Sequence, residues 1–215
     1  DRVLSRQAKW QDRIALIGFG EAGSAFSDAA AWRSRASAYD ILAGRREAIR
    51  ASGIVGSEDV ADILADARTV LSLVTADAAL DAALAALPLL GDGAVFCDMN
   101  SVAPSTKQAA AQAFADGGKD YVDVAIMAPV EPARLDVPLL VSGPAGDAAS
   151  QMLGAAGFRD VRLVGEDVGR ASAIKMLRSV MIKGIEALTA EMMAAADILG
   201  VTEEVIGSLD GSEKQ

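Results

Sequence analysis

The sequence predicts an α/β protein in which a doubly wound, mainly parallel sheet leads into a long helix that opens an incomplete all-α region. Three observations support this prediction. Short apolar runs rich in β-branched residues alternate with Ala-rich stretches of helical length. These runs are apolar throughout, as in strands that are covered on both faces. After Gly165 the strand pattern stops, and a long apolar stretch without proline begins.

The elements follow from this alternation in chain order. Strands are predicted at 13–18, 36–40, 54–55, 69–74, 94–98, 121–126, 138–142 and 161–164. Helices are predicted at 21–33, 41–51, 77–87 and 104–116, and Ser57 is expected to cap one more. The stretch 169–199 predicts one long helix, or two with a break near Gly184. Since most of its circumference is apolar, we expect it to be buried. The predicted domains are 12–165 and 166–215.

Composition excludes several classes of function. The chain has 20 Lys and Arg against 30 Asp and Glu, so its net charge is 20 − 30 = −10, which argues against a nucleic-acid partner. It has no His, which excludes Ser-His-Asp chemistry and His-ligated metal. A single cysteine, Cys97, favours a reducing, cytoplasmic location. No apolar run is long enough to predict a membrane span, and we interpret residues 1–12 as a lead-in.

One glycine-rich motif follows the first strand and precedes a helix. Its sequence is G-x-G-x-x-G, formed by Gly18, Phe19, Gly20, Glu21, Ala22 and Gly23. Asp40 lies 22 residues after Gly18, at the end of the second strand, which is the spacing of a Rossmann dinucleotide site. The glycines allow a tight turn and let a pyrophosphate approach the helix N-terminus. The motif therefore predicts NAD(P) binding, although a glycine-rich turn without a ligand remains the alternative.

The choice between NAD and NADP depends on residues near the end of the second strand. Asp40 would accept hydrogen bonds from the ribose hydroxyls and repel a 2′-phosphate, which favours NAD. Arg45 and Arg46 favour phosphate, because a guanidinium binds phosphate well. They also fit the solvated start of a helix. We predict NAD.

Two other segments carry candidate site residues. Lys175 lies on the long apolar helix, where lost hydration would lower its pKa and allow acid–base catalysis, although most lysines extend to solvent instead. Asn100 and Ser101 follow a strand, where α/β sheets bind ligands, or they form an ordinary turn. Cys97 is expected to be a buried apolar side chain. The methionines of the long helix are expected to serve packing.

The order of these motifs resembles the β-hydroxyacid dehydrogenase superfamily, which includes 3-hydroxyisobutyrate dehydrogenase and 6-phosphogluconate dehydrogenase. The resemblance runs from Arg13 to about Gly200. IALIGFGEAG resembles the family's dinucleotide fingerprint, and LVTAD lies where its nicotinamide-side loop follows the fourth strand. DMNSVAPST resembles D-x-S-T-x-x-P, and YVDVAIMAPV resembles D-A-P-V-S-G-G. GRASAIKMLRS resembles G-x-G-x-x-x-K-x-x-N-N, which implies that Lys175 is the catalytic lysine.

The resemblance implies further roles, with some departures. It implies that Val74, Thr75 and Asn100 contact the cofactor and that Ser101 contacts a small acidic substrate. Met127-Ala128-Pro129 replaces the family's Ser-Gly-Gly, and Arg178 and Ser179 replace its paired Asn. These replacements place Met127, Arg178 and Ser179 among the expected substrate-binding residues of a divergent branch. They argue against 3-hydroxyisobutyrate as the substrate.

The resulting expectation is an NAD(P)-dependent oxidoreductase that acts on a hydroxy acid, with Lys175 as general acid and base. Two alternatives stay open: a dinucleotide-binding sensor or partner subunit without turnover, and an imine-reducing member of the same superfamily. In the family, a helical C-terminal domain completes the active site and the dimer. The resemblance therefore implies a homodimer formed through the helical C-terminal region, of which this chain carries only the start.

Overall fold

The fold is built on one eight-stranded sheet, seen in a computed structural model that describes residues 13–212. Residues 1–12, which we interpret as a lead-in, lie outside this range. The strand order is β3-β2-β1-β4-β5-β6-β7-β8. The strands are β1 (Ile14–Ile17), β2 (Ala36–Tyr39), β3 (Val55–Gly56), β4 (Thr69–Ser72), β5 (Val95–Asp98), β6 (Asp120–Ile126), β7 (Leu139–Ser142) and β8 (Val161–Gly165).

Eight α-helices belong to the part of the chain that the structure describes. They are α1 (Glu21–Ala30), α2 (Ala43–Ala51), α3 (Val60–Leu64), α4 (Ala79–Ala86), α5 (Pro104–Asp116), α6 (Gly146–Ala156), α7 (Arg170–Leu199) and α8 (Thr202–Ser212). Pro104 occupies the first position of α5, where its missing N–H costs no hydrogen bond. None of the described helices has both the length and the apolar composition needed to cross a bilayer.

The topology confirms the predicted doubly wound sheet. Strands β1 to β6 are parallel, β7 pairs antiparallel with β6, and β8 pairs parallel with β7. The chain passes from β1 outward to β2 and β3 and then returns to β4 on the other side of β1. The loops that follow β1 and β4 therefore diverge at the carboxyl edge of the sheet. In such folds this switch point is where ligands bind.

Both faces of the sheet are buried, as the continuous apolar runs predict. On β1, Ile14 and Leu16 belong to one apolar cluster, whereas Ala15 and Ile17 belong to a second cluster on the opposite face. Successive side chains of a strand point to opposite faces, so a strand that is buried on both sides is apolar at most of its positions. Cys97 is fully buried in β5, in agreement with its expected role as a small apolar side chain.

The structure corrects the predicted cap of α3 and shows which form the long helix takes. Asp59, and not Ser57, caps α3: its carboxylate accepts a hydrogen bond from the backbone N–H of Ala61, whereas Ser57 donates to the side chain of Asp62. Helix α7 is continuous through Gly184, which confirms the first of the two predicted alternatives, one long helix. Its side chains were expected to be buried, yet Leu177 and Val180 are 73% and 72% exposed. An apolar composition shows that a surface needs cover, but it does not say which element provides it.

The described residues form two compact units that divide between Lys175 and Met176, inside α7. The first unit holds the sheet and helices α1 to α6, together with the first residues of α7. The second unit contains the rest of α7 and α8. The boundary predicted at residue 165 marks the end of the strands, and it stays a prediction as a domain boundary.

Candidate functional site

The loop between β1 and α1 has the shape that a dinucleotide requires. Gly18 has a φ of +92°, and a Cβ on it would lie 2.5 Å from the carbonyl oxygen of Leu73. A Cβ on Gly23 would lie 3.0 Å from the carbonyl oxygen of Gly18, which accounts for the close packing of α1 on the loop. A Cβ on Gly20 would meet nothing within 4 Å. The surface above Gly20 is therefore open to a ligand.

Helix α1 offers its N-terminus to that open surface. Gly20 is its N-cap and provides no side-chain acceptor for the first backbone N–H groups, which belong to Glu21, Ala22 and Gly23. Unpaired N–H groups and the helix dipole together favour an anion such as pyrophosphate. Phe19 contributes through its backbone, since its side chain is buried in the core.

Asp40 joins this loop to the end of β2. Its Oδ2 accepts a hydrogen bond from the backbone N–H of Phe19 at 2.7 Å, and its Oδ1 accepts one from Leu42 at 2.9 Å. Each carboxylate oxygen keeps a second lone pair that could accept a hydroxyl hydrogen bond. Asp40 thus holds the glycine loop in shape and lies where the ribose of a dinucleotide is expected.

A cleft of about 590 Å³ extends from Asp40 toward the loop after β4. Its lining includes predicted cofactor residues from three loops: Gly18, Gly20, Asp40, Val74 and Thr75. Arg45 also lines it, whereas the Arg46 guanidinium donates hydrogen bonds of 3.3 Å to the carbonyl oxygens of Asp40 and Ile41. The walls are mostly apolar, so the cleft suits an adenine ring at one end. The residues present fit a dinucleotide.

Asn100 lies at the carboxyl end of β5, deep in the sheet edge. Its Nδ2 donates to Ser72 Oγ at 3.0 Å and to Asp98 Oδ1 at 2.8 Å. The side chain is buried, yet its Oδ1 has no hydrogen-bond partner among the described residues. A buried acceptor without a partner costs about 1–3 kcal/mol, so a ligand donor such as a carboxamide N–H would relieve this cost.

Lys175 meets Ser101 at the same edge of the sheet. The Nζ of Lys175 donates a hydrogen bond to Ser101 Oγ at 2.6 Å, joining α7 to the loop after β5. Burial lowers the pKa of the Lys175 ammonium, and the nearby positive charge of Lys107 lowers it further, while the carboxylate of Asp123 acts in the opposite direction. The amine is therefore easier to deprotonate than an ordinary lysine.

A buried ionic network underlies this pair, and the sequence analysis missed it. Lys107 is fully buried, and its Nζ lies 2.9 Å from Asp98 Oδ1 and 3.4 Å from Asp123 Oδ1. Tyr121 donates to Asp98 Oδ2 at 2.6 Å, and burial together with the charge of Asp98 raises the pKa of its hydroxyl. Acidic residues inside two apolar strands were a signal that a buried cation exists, but they did not show that Lys107 supplies it.

The remaining predicted substrate residues are not all brought to this edge. Met127 follows β6 and is half-buried, next to a small apolar cluster of Ala125, Leu140 and Ala171. Arg178 and Ser179 lie on α7 three and four residues after Lys175, in the second compact unit. Their substrate roles stay predictions. The structure brings Lys175, Ser101 and Asn100 to one edge of the sheet and the glycine loop, Asp40, Val74 and Thr75 to one cleft.

The strand order, glycine loop and acidic residue after β2 define a protein with a dinucleotide-binding Rossmann domain. Comparison with known families agrees: the model of the NAD binding domain of 6-phosphogluconate dehydrogenase matches residues 13–157, and the chain belongs to this family. It therefore carries an NAD(P)-binding domain. The resemblance to hydroxyacid dehydrogenases that the motifs indicated is confirmed at this level.

Solved structures with the same fold agree with the family assignment. A conserved hypothetical protein from Sinorhizobium meliloti 1021 is 41% identical, with a TM-score of 0.80 over 94% of this chain and 70% of that one. A conserved protein of unknown function, described as structurally similar to 3-hydroxyacid dehydrogenases, is 29% identical, with a TM-score of 0.79 over 94% and 77%. An imine reductase from Myxococcus stipitatus, a variant in complex with NAD+, is 24% identical and shares the fold, with a TM-score of 0.74 over 94% and 71%.

Proposed function

We propose that this protein is an NAD(P)-dependent oxidoreductase that oxidises a small hydroxy acid, or reduces the oxo acid in the reverse direction. The observation that carries the proposal is the pairing of Lys175 with Ser101 at 2.6 Å, beside the carboxyl edge of a dinucleotide-binding sheet. A lysine whose pKa is lowered, hydrogen-bonded at the carboxyl edge of such a sheet, has the properties of a general acid and base.

The cofactor, when bound, supplies the nicotinamide ring that accepts or donates the hydride. The chain supplies binding and orientation. The N-terminus of α1 and Gly20 would hold the pyrophosphate, Asp40 would hold the adenosine ribose, and Val74 and Thr75, which line the same cleft, would lie on the nicotinamide side. The Oδ1 of Asn100, which has no partner among the described residues, would accept a hydrogen bond from the carboxamide of the cofactor or from the substrate.

Lys175 accepts and donates the proton. As the neutral amine it accepts the proton of the substrate hydroxyl, and as the ammonium it returns that proton to the carbonyl oxygen in the reverse direction. The hydrogen bond with Ser101 limits the positions that the amine can adopt. Lost hydration favours the neutral amine, so Lys175 becomes a general base at a lower pH than an exposed lysine does.

The substrate class follows from the charges that flank the lysine. Arg178 lies one helical turn after Lys175, and residues three apart on a helix share a face. A guanidinium binds a carboxylate through two parallel hydrogen bonds, so Arg178, with Ser179, is proposed to hold the acidic group of the substrate. Met127 provides an apolar contact in place of the family's Ser-Gly-Gly.

We favour NAD over NADP as the cofactor. The carboxylate of Asp40 lies where the ribose 2′ position is expected, and a 2′-phosphate there would meet a negative charge. Arg46 could offset that charge, but its guanidinium is already bonded to two backbone carbonyl oxygens. We also infer a reducing, cytoplasmic location from the single buried cysteine.

Imine reduction is a second candidate, favoured by one observation. Met127-Ala128-Pro129 offers no hydroxyl for a substrate carboxylate, and an apolar wall suits an uncharged imine. A third reading, a dinucleotide-binding sensor without turnover, keeps the cofactor loop and assigns no reaction to Lys175.

A substrate screen on the full-length protein separates the three candidates. Small hydroxy acids are offered with NAD and with NADP, and cyclic imines with NADH and NADPH, while the absorbance of the reduced nicotinamide is followed. The proposal predicts hydroxy-acid-dependent formation of NADH. Turnover of imines alone would replace the proposal by the second candidate. Saturable binding of NADH without any turnover across the screen would favour the sensor.

A further inference from the structure

Helix α7 carries Lys175, and its first turn is capped by side chains of the sheet. The backbone N–H of Ser172 donates to Asp123 Oδ2 at 2.9 Å, and that of Ala171 donates to Ser142 Oγ at 3.0 Å. The hydroxyl of Ser172 also donates to Asp123 Oδ1 at 2.6 Å. These N–H groups are at the second and third positions of α7, which a helix cannot satisfy by itself. Asp123 therefore fixes where α7 begins.

Lys107 links this cap to the loop that carries Ser101. Its ammonium contacts the carboxylates of Asp123 and Asp98 and donates to the carbonyl oxygen of Asp98 at 2.6 Å. Asp98 in turn accepts from the backbone N–H of Asn100 at 3.0 Å, next to Ser101. One buried ammonium thus connects the helix of Lys175 with the loop of its partner, and all three charged groups are almost fully buried.

We infer that Asp123 is a positioning residue for Lys175: it sets the start of α7 and, through Lys107 and Asp98, the distance between the amine and Ser101. This inference rests on the proposed role of Lys175. A carboxylate that served stability alone would need only to neutralise Lys107. Asp123 also receives two hydrogen bonds from Ser172, three residues before Lys175 and on the same helix face.

The charges in this network act on Lys175 with opposite signs. Lys107, from α5, lowers the pKa of Lys175, and Asp123, from β6, raises it. In Asp123→Asn the negative charge is lost and the repulsion from Lys107 is less compensated, so the pKa of Lys175 should fall. In Lys107→Met the repulsion is lost, so the pKa of Lys175 should rise. Opposite changes from two residues that do not touch the substrate are a signature of electrostatic positioning.

Competitive acetylation tests the inference without any substrate. The folded full chain receives a trace of acetic anhydride at several pH values, and mass spectrometry compares the labelling of Lys175 with that of Lys183, an exposed lysine. At a fixed pH below the midpoint of the Lys175 titration, we expect Asp123→Asn to raise the labelling of Lys175 relative to Lys183 about threefold or more. We expect Lys107→Met to lower it by a similar factor.

Asp92→Asn is the matched control. It removes a carboxylate that pairs with a lysine, Lys119, at 2.9 Å, at the amino end of β5 and away from Lys175. It should leave the labelling of Lys175 unchanged.

Two outcomes are decisive. Folded Asp123→Asn with wild-type labelling of Lys175 would overturn the inference, as would changes of equal sign in the two variants. Lys107→Met leaves two buried carboxylates without a counter-ion and can fail to fold, in which case Asp123→Asn decides by itself. Labelling needs no turnover, so the two proposals can fail separately. If the wild type is inactive in the substrate screen but the variants change the labelling of Lys175, the proposed reaction is refuted and the positioning role is kept. If the wild type is active but Asp123→Asn leaves the labelling of Lys175 unchanged, the positioning role is refuted and the proposed reaction is kept.

Discussion

Replacing each of two glycines of the same loop by alanine should have different effects, one on stability and the other on cofactor binding. At Gly18, φ is +92° and the new Cβ would lie 2.5 Å from the carbonyl oxygen of Leu73, a backbone atom that cannot move without shifting β4. At Gly20, φ is −79° and the space around the new Cβ is empty. Gly18→Ala should therefore destabilise the fold, whereas Gly20→Ala should obstruct the cofactor.

The magnitudes follow from these geometries. A left-handed backbone costs an L-residue about 1–2 kcal/mol, and an added methylene in a packed region costs about 1–3 kcal/mol. Gly18→Ala should thus lower the free energy of unfolding by about 2–5 kcal/mol, or the melting temperature by about 4–20 °C in a domain of this size. Gly20→Ala should change the free energy of unfolding by less than about 1 kcal/mol. It should raise the NADH dissociation constant at least about tenfold.

Thermal unfolding followed by circular dichroism, without cofactor, measures the first effect, and NADH fluorescence titration measures the second. The reasoning is refuted if Gly20→Ala binds NADH as tightly as the wild type, since the pyrophosphate would then not approach Gly20. An unchanged melting temperature for Gly18→Ala would show that the contact with Leu73 is not tight in solution.

Two further predictions concern cofactor choice and assembly. Asp40→Ala should lower the ratio of the NADP to the NAD dissociation constant, measured at one ionic strength, because the repulsive charge at the ribose is removed. Wild-type protein that binds NADP about tenfold more tightly than NAD would contradict the NAD preference. The exposed apolar side chains of α7, such as Leu177 and Val180, should be covered in a homodimer of the full-length protein, and light scattering that shows a monomer at micromolar concentration would contradict this.

The sheet and the glycine loop could be predicted because their causes are local. Apolar runs that are long enough for a strand, separated by stretches of helical length, define the doubly wound order. The spacing from Gly18 to Asp40 then predicts where the cofactor binds. The choice of Lys175 as the candidate catalytic residue came from the resemblance to a known family, since the spacing of the lysine by itself also fits an exposed side chain; its hydrogen bond with Ser101 was not predicted.

Other features depend on contacts that are distant in sequence. Helix α6 was missed because Gly146–Ala156 carries glycines and a serine that weaken the helical pattern, and its support comes from packing on the sheet. The antiparallel direction of β7 is set by its pairing with β6. The role of Lys107 depends on Asp98 and Asp123, which belong to two different strands. No local pattern distinguishes this lysine from an exposed one.

Lys175→Met tests most directly whether Lys175 transfers the proton. Met has a similar length and keeps the packing, so a loss could not be assigned to a cavity. A general acid–base contributes about 10²–10⁴-fold in rate, so kcat with the hydroxy acid found by the screen should fall by that factor. The NADH dissociation constant should stay nearly unchanged, because Gly20 and Asp40, the residues proposed to hold the cofactor, are unaltered in this variant.

Arg178→Lys provides the contrast within the same helix. It should raise KM more than it lowers kcat, because it would lose bidentate binding of the substrate anion and not proton transfer. The measurement that decides is kcat of Lys175→Met as a function of pH, on the full-length protein. If Lys175 transfers the proton, the variant should lose at least about 99% of wild-type kcat together with the pH-dependent rise due to the amine. A variant that keeps more than about a tenth of wild-type kcat would contradict it, and the proton would then be transferred by another group or by water.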